Sequence, residues 1–246
     1  MIPASHETEQ LTFDLAAALN DVNDTRTAPS HQPLPALKPA ATIKNTDNSH
    51  TVSPVMLWIH EATSADDGIA STFGFTPYRD LWQMRCRLPM VSDALAVESS
   101  EFQIRAFGQE DIGQLIAVNN RAFHWHPEQG KLTPGKMQDL MSKPWFDADG
   151  ILLCHRHKRL AAFCWTKIHE APSSPLGELY VVAVDPDFSG KGLGMLITFA
   201  GLHWLSDRDL QTGMLYVESD NHRALKMYRR IGFLYHHTNR AYWYVH

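Results

Sequence analysis

The sequence predicts an α/β (α+β) protein whose main domain starts near Glu101 and runs to His246. Three observations carry this reading. Short β-branched and aromatic runs alternate with helical patterns from residue 101 onward. Glycines mark the junctions between those runs. A hydrophobic share of 44% with 20% charged residues over 246 positions gives a soluble chain with a real core, enough for one large domain or two small ones.

Residues 1–53 are polar and mixed, with a middle rich in Pro, Ala, Thr and Asn, and read as linker. Within them only Leu11 to Val22 looks helical, because Leu11, Leu15, Leu19 and Val22 recur at helical spacing. Residues 54–98 are more ordered. VMLWIH is a strand and SADDGIASTF a short helix with Ser64 as N-cap; Gly74-Phe75 and the strand RDLWQMRCRL follow. From Glu101, EFQIRAF is a strand and QEDIGQLIAVNNRAF a helix, followed by a helix around Pro134 to Met141. ILLCHR, RLAAFCWTKI and GELYVVAV are strands, the last stopped by Asp185-Pro186. GLGMLITFAGLHWLSD is a helix, GMLYVES a strand and NHRALKMYRRI a helix. FLYHHTNRAYWYV closes as one or two strands.

STFGFTPYRDLWQM and RRIGFLYHHTNRAYW share one layout: a helix end, a Gly-Phe pair, then a strand mixing polar and aromatic residues. An internal duplication explains this. So does the frequency of glycine at helix C-termini, and the pair alone does not separate the two.

Composition excludes several classes. A formal net charge of -5 offers no basic field for nucleic acid or anionic membrane. The 14 histidines form neither HExxH nor a zinc-spaced pattern with cysteine, so no metal is expected. Cys86, Cys154 and Cys164 are odd in number and lack CxxC spacing, which predicts a reducing compartment; Cys154 and Cys164, in apolar runs, read as packing residues. MIPASHETEQ has no signal-peptide pattern and no stretch is long and apolar enough to span a bilayer. A cytoplasmic monomer is expected.

The strongest chemical feature is GELYVVAVDPDFSGKGLG. A strand buried on both faces ends at a proline, and Ser189-Gly190-Lys191-Gly192-Leu193-Gly194 then opens a helix. Glycines let the backbone approach a ligand, and free amides at a helix start attract an anion. The Gly-Lys-Ser/Thr of a P-loop is missing, so nucleotide hydrolysis is not implied. Further along, LYVESDNHRALKMYRRIGF carries Asn221, Ala224, Tyr228, Gly232 and Phe233. Asn221 is placed to cap a helix, with Ala224 and Tyr228 on the same side.

Together these segments resemble the GNAT superfamily of acetyltransferases, which implies a mixed, mostly antiparallel central sheet flanked by helices, and acetyl-CoA as co-substrate. The superfamily loop is patterned Arg/Gln-x-x-Gly-x-Gly/Ala; Ser189 departs from it. The resemblance places CoA pyrophosphate on Ser189, Gly190, Lys191, Gly192, Leu193, Gly194 and Met195, and pantetheine on Val182, Ala183 and Val184. It adds Asn221, His222, Arg223, Ala224, Leu225 and Lys226 as cofactor contacts, and Tyr228 as the acid that protonates the leaving thiolate. GELYVVAVDP, LYVESDN, FCWTKIH and NNRAFHWHPEQG further resemble the mycothiol synthase family, which acetylates the cysteinyl amine of Cys-GlcN-inositol. That resemblance makes Glu178 the general base and Glu128, Lys167, Glu178 and Tyr216 the substrate contacts. It also implies two tandem repeats, with 54–98 a degenerate partial first repeat and 101–246 the catalytic domain. The family's acidic contact from its first repeat falls near TAPSHQP, which holds no acidic residue. Loss of half a repeat is expected to expose apolar surface around Trp58 and Trp82.

Read from the residues alone, Glu178 is a base or a solvated charge at a strand end, and Tyr228 an acid or an aromatic packed on the sheet. With no Cys–His pairing near the loop, direct attack of the amine on the thioester is preferred over an acyl-enzyme. Two alternatives remain: a protein N-terminus or other small amine as acceptor, and a CoA-binding module without catalysis.

Overall fold

A computed structural model describes residues 55–89, 101–126, 130–171 and 174–244. The helix expected at Leu11 to Val22 lies outside them, as does Glu128. The described chain divides into two units, the smaller holding residues up to Leu81 with Thr238–His246, the larger Trp82–His237.

In the smaller unit, β1 (Val55–Ile59) leads into α1 (Ser64–Thr72) and then the first part of β2 (Phe75–Arg87). The cap of α1 is Thr63 and not Ser64. Thr63 Oγ1 accepts from the Asp66 amide, and the Asp66 carboxylate accepts from the Thr63 amide at 2.8 Å. Two residues three apart thus satisfy each other's orphan groups, which makes Ser64 the first helical residue. The last part of β8 (Leu234–Tyr244) pairs antiparallel with β1 from Val55↔Tyr244 to Ile59↔Arg240. Leu57, Ala70 and Tyr242 form the small core. Above it Arg240 bonds both Asp80 (2.6 Å) and Asp67 (2.7 Å), and the Tyr242 hydroxyl donates to Asp67 at 2.7 Å. The strand order here is β1-β8-β2.

In the larger unit the order is β8-β2-β7-β6-β5-β4-β3, strands β2 and β8 passing through both units. β3 (Gln103–Ala106), β4 (Ile151–Arg156), β5 (Arg159–His169) and β6 (Leu176–Val184) pair antiparallel in succession, and β6 pairs parallel with β7 (Thr212–Glu218). This is the mixed, mostly antiparallel sheet expected. α2 (Ile112–Ala122) and α3 (Pro134–Met141) cover one face over Leu115, Met137, Leu153, Phe163 and Trp165. α4 (Leu193–Ser206) and α5 (His222–Ile231) cover the other over Cys164, Leu179, Ile197, Leu202 and Leu225. The first turn of the helix expected from Gln109 is a 3-10 turn over Gln109–Asp111. The C-terminal run is one strand.

α4 lies close on the sheet because position 201 is glycine: a Cβ there would stand 2.6 Å from Cys164 Sγ and 2.8 Å from Leu179. That contact fixes the helix whose first turn carries the glycine loop. Trp58 and Trp82, expected to be exposed, are half-buried beneath the guanidinium groups of Arg79 (5.5 Å) and Arg229 (5.8 Å).

Candidate active site where two parallel strands part

The parallel ladder between β6 and β7 takes in only Gly177↔Gly213 and Glu178↔Met214, although β6 runs on to Val184 and β7 to Glu218. A bulge in the β5/β6 register falls at the same level: Thr166 faces Leu179 and Trp165 faces Val181, leaving Tyr180 without an opposite residue. A bulge bends its strand and raises the local twist, which turns β6 away from β7 where their ladder stops. Past Glu178 the β7-facing edge of β6 is open backbone, able to take hydrogen bonds from a ligand.

Glu178 is the last paired residue before the parting. Its side chain is 8% exposed, and Oε2 lies 2.6 Å from His169 Nε2. The register sets the company it keeps. Lys167 is its cross-strand partner, His169 follows two residues later on β5, and Tyr216 stands two beyond its β7 partner Met214. With a period of two, all of these share one sheet face. Lys167 Nζ lies over the rings of Trp145 (4.8 Å) and Tyr180 (5.6 Å). Trp145, Trp165 and Tyr180 pack edge-on or tilted, with centroids 5.3 to 6.0 Å apart. Burial, and secondarily the Glu178 charge, pushes the Tyr180 phenol up. The Tyr216 hydroxyl accepts a 2.8 Å bond from Gln83 on β2, itself buried. On the same strand, Glu218 lies 3.6 Å from His126, in the loop after α2.

Tyr228 belongs to the opposite face. It is buried among the α4/α5 core residues, its ring 5.7 Å from Phe233. Burial, then the adjacent Cys164, raises its phenol well above the ordinary range. Glu178 and Tyr228 therefore stand on the two sides of the sheet. Asn221 caps α5 by accepting from the Ala224 amide at 3.1 Å, and Gly232 ends it in the left-handed region. The cysteines are buried, with burial pushing the Cys86 thiol to about 12 and Cys154 to about 11 and raising Cys164 further still; none is a ready thiolate.

The loop at the end of β6 is braced before it reaches its glycines. Arg121 bonds Asp185 (3.2 Å) and Asp187 (2.8 Å), Arg159 bonds Asp187 (2.8 Å), and Phe188 is buried beneath the Arg159 guanidinium. Gly190 and Gly192 then adopt positive φ, 80° and 78°, with open space where a Cβ would be. Gly192 is the N-cap of α4 and supplies no side-chain bond; the Met195 amide donates to the Gly192 carbonyl at 3.1 Å, which leaves the Leu193 and Gly194 amides to meet an anion. Ser189 is not isolated: Arg223, at the start of α5, donates to its Oγ at 2.9 Å. A guanidinium thus reaches the loop at Ser189. Lys191 is exposed, with Nζ 5.7 Å from the Phe188 ring. Val182, Val184, Met195 and Ala224 are half-buried against the α4/α5 core, Ala183 faces the other core, and the Leu225 side chain is fully packed. His222 and Lys226 face outward on α5. Among the described residues, no group of three or more His, Cys, Asp or Glu side chains is arranged to hold a metal.

Residues 119–233, which contain the parting strands, the glycine loop and α5, match the description Acetyltransferase (GNAT) family. This stretch is similar to that family. Its fold agrees: a GCN5-related N-acetyltransferase from Sphaerobacter thermophilus superposes with a TM-score of 0.61 at 18% identity, covering 78% of this chain and 60% of that one. A tandem GNAT protein from the clavulanic acid biosynthesis pathway gives 0.55 at 13% identity, covering 77% and 63%. In sequence, the chain is 43% identical over 189 residues to a mycothiol acetyltransferase of Mycobacteroides abscessus and 41% identical over 192 residues to one of Rhodococcus opacus. Each match takes in 76% of this chain, which spans 63% of the length of those relatives.

Sequence reasoning missed His169, Tyr180 and Trp145 as neighbours of Glu178 and Lys167. For His169 the signal was present, two positions past Lys167 on the same strand; Trp145 lies in a loop, where no period applies.

Proposed function

We propose that this GNAT domain is an acetyl-CoA-dependent N-acetyltransferase acting on the cysteinyl amine of Cys-GlcN-inositol, giving mycothiol and CoA. The observation that carries the reading is a buried carboxylate, Glu178, at the last rung before β6 and β7 part, on the strand that ends in the glycine loop. The residues present fit acetyl-CoA: open positive-φ glycines, free amides at the start of α4, an unpaired β6 edge, and the Arg223 guanidinium beside Ser189. Bound there, acetyl-CoA supplies the activated carbonyl.

In this reading the acceptor lies on the face of Glu178, Lys167 and Tyr216. An α-amine with a pKa near 8 is mostly protonated at pH 7, and Glu178 takes the proton that frees its lone pair. The amine attacks the thioester carbonyl directly. Tyr228, held protonated by burial on the opposite face, gives its proton to the departing sulfur. Lys167 and Tyr216, with Glu128, hold the hydroxyl-rich sugar and inositol. The 43% identity to a mycothiol acetyltransferase supports this acceptor. We read residues 54–98 as the remnant of a first repeat, supported by the matching order β1–α1–Gly74-Phe75–β2 and β7–α5–Gly232-Phe233–β8.

The test is turnover. The chain, incubated with acetyl-CoA and Cys-GlcN-inositol, is expected to release CoA with saturation kinetics and yield the N-acetylated cysteine. Turnover only with other amines overturns the acceptor and leaves the chemistry. CoA binding that persists while Glu178→Gln and Tyr228→Phe change nothing overturns catalysis.

A further inference from the structure

We propose that His169 is the outlet through which the proton collected by Glu178 leaves the site, an inference that rests on the reading of Glu178 as the base. The geometry gives the route. Glu178 Oε2 and His169 Nε2 are 2.6 Å apart, the carboxylate side chain 8% exposed and the imidazole 36% exposed. A buried acid is thereby joined to water by one ring. Among the described residues no other side chain bonds Glu178. Lys167, its cross-strand partner, directs its ammonium over Trp145 and Tyr180. The Tyr180 phenol is held protonated by burial and by Glu178, so it cannot accept. Glu170, next in the chain, is exposed.

The reaction needs such an outlet. An ammonium acceptor R–NH₃⁺ and acetyl-CoA give R–NH–acetyl, CoA–SH and one free proton. The N–C bond forms, the C–S bond breaks, and of the two protons that nitrogen loses, one ends on sulfur and the other in solvent. A buried Glu178 that keeps its proton cannot serve the next acceptor. His169 with its proton on Nδ1 takes the carboxyl proton at Nε2 and releases the Nδ1 proton to water. Exchange at the half-exposed ring restores the starting tautomer. His169 is thus a positioning residue that acts through Glu178 and need not touch the acceptor.

The experiment compares full-length His169→Ala, His169→Gln and Glu178→Gln in steady-state acetylation of Cys-GlcN-inositol, with CoA affinity measured by calorimetry as a check on the fold. A glutamine at 169 can still donate to Glu178 but cannot relay. Both His169 variants are expected to lose kcat by about tenfold or more, a share of what acid–base groups contribute. KM and the CoA dissociation constant should hold within about twofold, inside the scatter of substitutions away from binding contacts. Added imidazole should restore His169→Ala in a saturable way and leave Glu178→Gln inactive. Wild-type kcat in His169→Gln, or no rescue of His169→Ala, overturns the outlet while Glu178 stands as base. Wild-type kcat in Glu178→Gln overturns the base, and the outlet with it.

Discussion

Tyr228 carries a phenol that burial, and after it the neighbouring Cys164, holds far above its ordinary value. An unperturbed tyrosine ionises near pH 10, so the raised group stays in its donor form beyond that point, and kcat should show no loss from it up to pH 9.5. Tyr228→Phe is expected to lower kcat by roughly 10- to 100-fold with CoA affinity unchanged, as for removal of a general acid. At the loop, Arg223 sets a guanidinium against Ser189. Arg223→Ala should weaken CoA binding several-fold, and the difference should shrink in high salt because the contact is exposed. Calorimetry at two ionic strengths reads both effects, and equal affinities at low salt remove Arg223 from the site.

At the level of elements, local chemistry explains most of what forms. Apolar runs became β4, β5 and β6, and the asparagine and glycine flanking HRALKMYRRI became the caps of α5. Thr63→Ala, which removes the cap of α1, is expected to cost about 1 kcal/mol, read as a lower midpoint in urea. Asp67 adds a pH dependence. Its carboxyl is held below its usual value by bonds from Arg240 and then Tyr242, so the stabilisation is complete above the unfolded-state value near 4 and is lost as pH falls through the folded one. Asp67→Asn should therefore lower the urea midpoint at pH 7 and narrow the gap between pH 7 and pH 3. The glycine turn that opens α4 was legible because it sits in a local pattern. The Ser64 cap was misplaced by one residue because two adjacent hydroxyls compete and only the reciprocal bond to Asp66 decides. The parting of β6 from β7 and the Arg223–Ser189 bond were not legible, since each depends on pairing between distant segments.

Across the whole molecule the terminal strands are exchanged. β1 takes β8 as its neighbour in the smaller unit, while β7 takes β2 in the larger. Met84, Cys86 and Leu88, on or just past β2, are core residues of the larger unit, and Gln83 holds the Tyr216 hydroxyl. A chain shortened to begin at Val97 should therefore lose more than a remnant: it leaves β7 with an unpaired edge. We expect it to be aggregated by size-exclusion chromatography and without a cooperative urea transition. A soluble, cooperative monomer would show β2 to be dispensable. The exchange also bears on the order of synthesis. Domains commonly fold as they emerge, early segments first. Here β1 and α1 are made early, yet β1 gains its partner only when the chain has reached Tyr244. The first described strand must wait for the last, so closure of the smaller unit has a long-range, slow step at its centre.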